Sequence, residues 1–301
     1  MDDKKYVLTK ETIEVESEGE KRTLYRIMAV KDFGDIKAGC YGGFVEKEAN
    51  LAHDGDCWIY DNAKVYGHAE ICDSAKVYEF AEVYGLAEVY GSAKIYGHAK
   101  VFGYNKVFDH ARIYDAAKIY GLAEVYSWAE VFGSAEIAVN AKIHGAAKIY
   151  DNATVSDHAE ISGSAIIRDH AEIRGAAKVC GNAEIYGYAK VYDSARVWDN
   201  AKVYDHASIG GAVKIHGNAR IYDNARVIGG AEVYGYAIVY GSAIVQLCAK
   251  VFGHAIIHGA VRINDNAKIC DHAEVDGDAM VGGNAEIHGA TKVCNNTKIY
   301  L

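Results

Sequence analysis

Ile59-Tyr60-Asp61-Asn62-Ala63-Lys64 is followed at once by Val65-Tyr66-Gly67-His68-Ala69-Glu70. The two segments share one six-residue pattern: Val/Ile, Tyr, Gly/Asp, variable, Ala, Lys/Glu. It runs unbroken to Val293, thirty-nine steps of six from Ile59 and therefore forty units, and a partial unit, Ile299-Tyr300-Leu301, ends the sequence. The first position is Val or Ile throughout. The fifth is Ala except at Asn105, Val213, Val261, Thr291 and Thr297. A fixed hexapeptide period marks a parallel β-helix. Helix geometry cannot use it, because six is not a multiple of 3.6.

Each position has a physical task. The sixth, first and second residues make a short strand whose side chains alternate out, in, out. Val or Ile at the first position suits a packed strand interior. The third and fourth residues form a corner that needs left-handed backbone, which Gly, Asp, Asn and His tolerate best. The fourth-position histidines His68, His98, His110, His158, His170, His206, His254 and His272 are expected to serve that need. Ala at the fifth position fits inside the corner. Three corners close a triangle of eighteen residues, so forty units make about 13 coils, roughly 64 Å at the spacing of stacked strands.

Residues eighteen apart then stack in columns. One column holds Tyr60, Tyr78, Tyr96, Tyr114, Phe132 and Tyr150, and resumes as Tyr186, Tyr204, Tyr222 and Tyr240. A second holds Tyr66, Tyr84, Phe102 and Tyr120. A third holds Tyr90, Phe108 and Tyr126, then Trp198, Tyr234 and Phe252. Mixed-charge columns flank them, where an opposite pair contributes only a few tenths of a kcal/mol.

Composition agrees with a layered β protein. There is no proline in 301 residues, where average usage would place about 15. Every residue can therefore donate its N–H to a ladder. Lys+Arg number 32 against 41 Asp+Glu, and the net charge of −9 argues against sequence-independent nucleic-acid binding. The start, MDDKKYVLTK, lacks the apolar stretch of a signal peptide. No apolar run approaches the ~20 residues of a membrane span. A cytoplasmic protein with no nucleic-acid or membrane partner is expected. Its seven cysteines, Cys40, Cys57, Cys72, Cys180, Cys248, Cys270 and Cys294, are widely spaced without a CxxC, so reduced thiols are expected rather than a disulfide or zinc framework.

Before the repeats, residues 1–28 read as a hairpin: Glu11 to Glu16 alternates, Ser17-Glu18-Gly19-Glu20-Lys21 turns, and Arg22 to Val30 returns. Residues 29–58 read as a first irregular coil. The expected division is a capping segment over 1–58 and the hexapeptide helix over 59–301, with no equivalent cap at the far end.

The repeats are similar to those of left-handed β-helix acyltransferases. The segment Ala29-Val30-Lys31-Asp32-Phe33-Gly34-Asp35-Ile36-Lys37-Ala38-Gly39-Cys40-Tyr41-Gly42-Gly43-Phe44-Val45, with Asn50-Leu51 and Gly55-Asp56-Cys57-Trp58-Ile59-Tyr60, resembles the start of the YdcK-like family. That family is a group of left-handed β-helix proteins labelled acetyltransferases. The resemblance implies a left-handed winding for this all-β, single-stranded parallel solenoid with an N-terminal hairpin cap. It also implies, as an alternative function, acetyl-CoA-dependent acyl transfer at a site between subunits. The chain departs from active hexapeptide acyltransferases in having no loop inserted into the repeats, and Tyr where their second position is small. No catalytic residue maps onto it, and no cofactor is expected outside that alternative.

Two kinds of site remain. His254 and His272, eighteen apart and next to Asp271, offer two imidazoles and a carboxylate, a donor set for a metal; a solvated corner is the plainer reading. The candidate interface comprises the last residues Ile299, Tyr300 and Leu301, the outward aliphatics Ile228, Ile238, Ile244 and Ile256, and the column Tyr186, Tyr204, Tyr222 and Tyr240. Apolar stripes of that length are seldom left wet. The expected function is thus a non-catalytic structural solenoid that self-associates, as dimer, trimer or filament, through its uncapped C-terminal end or its aromatic columns. A carbohydrate-binding surface is a further alternative. Ice binding would need regular outward Thr, and the chain has too few.

Overall fold

The structure, a computed structural model, describes residues 4–17 and 19–301. Met1–Asp3 and Glu18, which enter the readings of the start and of the hairpin turn, lie outside the described residues. The fold is all-β, a solenoid of parallel stacked coils. Among the described residues no helix is long and apolar enough to cross a membrane. The chain divides into two compact units, Met1–Tyr150 and Asp151–Leu301.

The first unit opens with two antiparallel strands, β1 (Tyr6–Ser17) and β2 (Glu20–Ala29), paired from Tyr6↔Ala29 to Ser17↔Glu20 with a register shift between Leu8 and Thr12. Strand β3 (Tyr41–Val45) pairs antiparallel with β2 on one edge and parallel with Lys64–Val65 on the other. The hairpin thereby extends one of the solenoid's sheets. Leu24, Phe44 and Tyr66 form a buried cluster, packed by Ile13, Val15 and Tyr84. Buried Lys5 ties the N-terminal strand to the first coil. Its ammonium donates to the carbonyls of Cys57 at 3.0 Å, Gly55 at 3.2 Å and Asp54 at 3.3 Å, and contacts Cys57 Sγ at 3.2 Å. Burial pushes the Cys57 thiol up, against the opposing pull of Lys5.

From Trp58 onward short strands, most of them just the sixth- and first-position residues, recur every six residues, as the period predicts; Glu82–Gly85, Lys100–Gly103 and Lys118–Gly121 run to four residues. In the first unit Trp58–Ile59, Lys76–Val77, Lys94–Ile95 and Arg112–Ile113 stack in parallel, in register at eighteen residues. In the second, Glu184–Ile185, Lys202–Val203, Arg220–Ile221, Ile238–Val239 and Ile256–Ile257 do the same. First-position residues such as Ile119 and Val203 are fully buried, and so are fifth-position alanines such as Ala63 and Ala201. Asn105 at a fifth position is also buried. Its Nδ2 donates to the carbonyls of Phe102 at 2.6 Å and Ile119 at 3.1 Å, while its Oδ1 finds no partner.

Within each unit, coil hydrogen-bonds to coil by a fixed rule. The sixth, second and fourth N–H groups donate to carbonyls seventeen residues on, as Lys64 to Ala81, Tyr66 to Val83 and His68 to Gly85. The fifth N–H closes the corner on the second carbonyl, as Ala63 to Tyr60 at 3.1 Å. The left-handed residue is the third: Asp61, Asp193 and Asp199 have φ of 52°, 58° and 59°, and Gly67 and Gly217 of 69° and 68°. This corrects the expectation for the histidines. Among the described residues no histidine has positive φ. Fourth-position side chains instead form columns of their own.

Candidate functional site

Most outward aromatics stack ring on ring, while Tyr78 meets Tyr96 edge-on with centroids 6.5 Å apart and planes at 87°. In the first unit Tyr96, Tyr114, Phe132 and Tyr150 follow one another at centroid separations of 4.8, 4.8 and 4.7 Å with planes within 7°. In the second, Tyr186, Tyr204, Tyr222, Tyr240 and His258 are spaced 4.8, 4.8, 5.0 and 5.0 Å. The Arg168 guanidinium sits 4.2 Å above Tyr186. Stacking covers the ring faces and leaves the edges to solvent, so the tyrosines are half-buried. Burial pushes the Tyr114 and Tyr204 phenols up to about 12.

The candidate interface residues separate on this framework. Ile238 and Ile256 are cross-strand partners in the sheet that carries Tyr186, Tyr204, Tyr222 and Tyr240. Sixth- and second-position residues face the same way, so Ile238 lies beside Tyr240 and Ile256 beside His258, while Glu184, Lys202 and Arg220 lie beside Tyr186, Tyr204 and Tyr222. Ile244 and Ile228 belong to a different sheet, where Ile244 pairs with Arg226 and Arg262. Ile299 and Tyr300 lie on that second sheet too, paired with Val281 and Gly282; Tyr300 and Leu301 are exposed.

His254 and His272 are exposed and stacked, centroids 5.0 Å apart with planes at 10°, below Tyr236 in a fourth-position column. The Asp271 carboxylate accepts the Gly289 N–H at 2.9 Å. A different trio has donor atoms within 4.8 Å of one another: His258, Glu274 and Asp276. Hydrogen bonds from Lys292, at 2.6 Å, and from His258 hold the Glu274 carboxyl below its ordinary range.

Two features escaped the sequence reading. Leu86, Tyr104 and Leu122 occupy successive fourth positions of the first unit and are exposed, as is Val139 beyond them. Their eighteen-residue spacing was the available signal. On another edge of the same unit a groove of about 390 Å³ runs beside three stacked cations, Lys76, Lys94 and Arg112. Ser74 and Ser92 line it, and so do His110 and Trp128, whose rings stack at 4.1 Å. Lys76 pairs with Asp35 at 2.7 Å. Burial lowers its pKa, but the hydrogen bonds with Asp35 and Tyr60 outweigh that effect and raise it. Arg112 lies 3.6 Å from Glu130, and Lys94 has no ion pair among the described residues.

The coil geometry and the repeat define a β-solenoid, and residues 219–235 match the model of the YdcK beta solenoid repeat. One particular relative is the "Uncharacterized acetyltransferase YdcK" of Escherichia coli (strain K12), 40% identical over 62 residues. The match covers 19% of this chain and 19% of that protein's length. The resemblance to the YdcK-like family read from the N-terminal segment and the repeats is thus supported by an independent likeness.

Proposed function

We propose that the protein is a non-catalytic β-solenoid scaffold that self-associates through an outward face of its second unit. The observation that carries this is the stacked column Tyr186, Tyr204, Tyr222 and Tyr240, which ends at an aliphatic pair, Ile238 beside Tyr240 and Ile256 in the next coil. The backbone groups there are committed to the coil ladders, so this face offers ring edges and aliphatic side chains rather than an open strand edge. Such a surface gains free energy chiefly by leaving water. Glu184 and Lys202, paired at 2.7 Å, lie in the same column as Ile238 and Ile256 and give that face a polar end. Light scattering across a dilution series tests the proposal. A mass above one chain that falls on dilution is expected; a single-chain mass at every micromolar concentration would remove it.

A second reading, acyl transfer from acetyl-CoA, is favoured by the Escherichia coli relative's being called an acetyltransferase. Calorimetry with acetyl-CoA at millimolar concentration separates it from the first. Heat of binding would support it, and no heat would leave it unsupported.

A further inference from the structure

The column that carries Tyr186, Tyr204, Tyr222 and Tyr240 changes chemistry in its next three coils. The same position then holds His258, Asp276 and Cys294, all residue types that ligate metals, where rings had stood. Register brings Glu274 to them. Ile256 pairs with Glu274 and Ile257 with Val275, so His258 lies one coil from Asp276. Glu274 and Asp276 flank the inward Val275 and therefore point outward together. The His258 Nε2 stands 3.4 Å from Glu274 Oε1 and 4.0 Å from Asp276 Oδ2. One donor atom from each of the three lies within 4.8 Å of the other two. All three side chains are half-buried.

Another histidine of the same unit shows what sets this trio apart. His216 also stands between two carboxylates, yet it turns Nδ1 to Asp199 at 3.9 Å and Nε2 to Glu232 at 3.5 Å. Two different ring nitrogens serve the two partners there, so no single ion can take both carboxylates and one nitrogen. His258 turns one nitrogen to both carboxylates. That nitrogen carries at most one hydrogen, and neither separation is the about 2.7–2.9 Å of a charge-assisted hydrogen bond. One proton cannot satisfy both oxygens; one cation can. We infer that His258, Glu274 and Asp276 bind a divalent transition-metal ion of the zinc type. Donor atoms on bonds of about 2.0–2.2 Å stand roughly 3.3–3.6 Å apart around a tetrahedral ion, so small side-chain rotations close the trio onto it. The imidazole selects such an ion over magnesium or calcium, which take oxygen ligands. The Lys292 ammonium, 2.6 Å from Glu274 Oε2, leaves Oε1 to the ion. Two carboxylates against one ammonium leave net negative charge for a divalent ion to neutralise. Cys294, exposed, is the next donor along the column and follows Val293, the partner of Val275.

The test uses the full chain without an affinity tag, stripped of metal by a chelator, with cobalt(II) and zinc as probes. Cobalt is read by its visible absorption and zinc by competition with a chromogenic chelator. Stoichiometric binding at micromolar metal is expected, with magnesium and calcium unable to displace the ion. His258→Gln and Asp276→Asn should each weaken binding at least roughly tenfold, the loss that removing even an outer partner of a metal site causes. His216→Gln and His254→Gln should leave it unchanged. Lys292→Gln, at an exposed side chain, removes the competing cation and should tighten binding, a gain that no misfolded variant produces. Cobalt bound in this way supports the inference with or without the near-ultraviolet band of a thiolate; the band adds Cys294 to the ligands. Absence of stoichiometric binding overturns the inference. So does binding that both His258→Gln and Asp276→Asn leave intact, displacement by magnesium or calcium, or a Lys292→Gln variant that binds no more tightly than the parent.

Discussion

Asp at the third position does two jobs, and only one belongs to backbone conformation. It adopts positive φ, and its carboxylate also accepts the third-position N–H of the next coil. Gly211 donates to Asp193 at 2.9 Å, Gly217 to Asp199 at 3.0 Å and Gly133 to Asp115 at 3.1 Å. Substitution can separate the two. Asp193→Gly keeps the left-handed backbone and loses the acceptor, so chemical denaturation should show a loss of about 1 kcal/mol. Asp193→Ala loses both and should cost roughly 1–2 kcal/mol more. Equal losses would mean that the hydrogen bond carries the whole effect. Val139 is the converse case: a β-branched residue at φ 61°, exposed, with little packing to lose. Val139→Gly should raise stability by about 1 kcal/mol, read from the same curves.

At the scale of the element, the corner and the ring column show where sequence reading succeeded and where it stopped. The inward Val/Ile and the small fifth residue were legible because burial leaves them almost no choice. The assignment of left-handed backbone to the histidines was wrong because both corner positions are rich in turn-forming residues. The alternation of Gly with Asp at the third position carried the information, since those two share little beyond tolerance of positive φ. What histidine shares with Tyr and Trp is a flat ring, and His170, Tyr188 and His206 stack accordingly at 4.8 and 5.1 Å. The cationic groove was legible in principle, from Lys76, Lys94 and Arg112 at eighteen-residue spacing. Its concavity was not, since that depends on how neighbouring corners project.

The ring columns also set a pH dependence. The Tyr114 and Tyr204 phenols titrate near 12 in the folded chain, against about 10 when unfolded. The neutral phenol is therefore favoured by folding. Their contribution is fully present below pH 10 and is lost as pH rises toward 12. Melting temperatures should hold level to about pH 9–10 and fall above it, with tyrosinate absorbance rising in step with unfolding. A melting temperature that climbs across that window would contradict the assignment. Tyr204→Leu, which removes two ring contacts while keeping an apolar side chain, should cost about 1–3 kcal/mol.

At the scale of the whole molecule, the period of six and its alternation were enough to specify stacked parallel coils. The eighteen-residue spacing also assigns each outward residue to a face, and Ile238, two residues before Tyr240, falls with the tyrosine column while Ile228 and Ile244 fall with another. Ile238 and Ile256 gain weight from being paired with each other beside Tyr240 and His258, and Ile244 loses it by standing between Arg226 and Arg262 on another sheet. A contact surface on the first sheet follows, and a paired substitution probes it. Sedimentation equilibrium of the parent chain against Ile238→Glu/Ile256→Lys, whose new charges oppose Arg220 and Glu274 beside them and each other, is the most direct measurement. The expected result is a parent that associates reversibly and a variant that sediments as one chain with an undiminished melting temperature. A parent that is one chain throughout, or a variant that associates as strongly as the parent, would contradict the proposed role of that face.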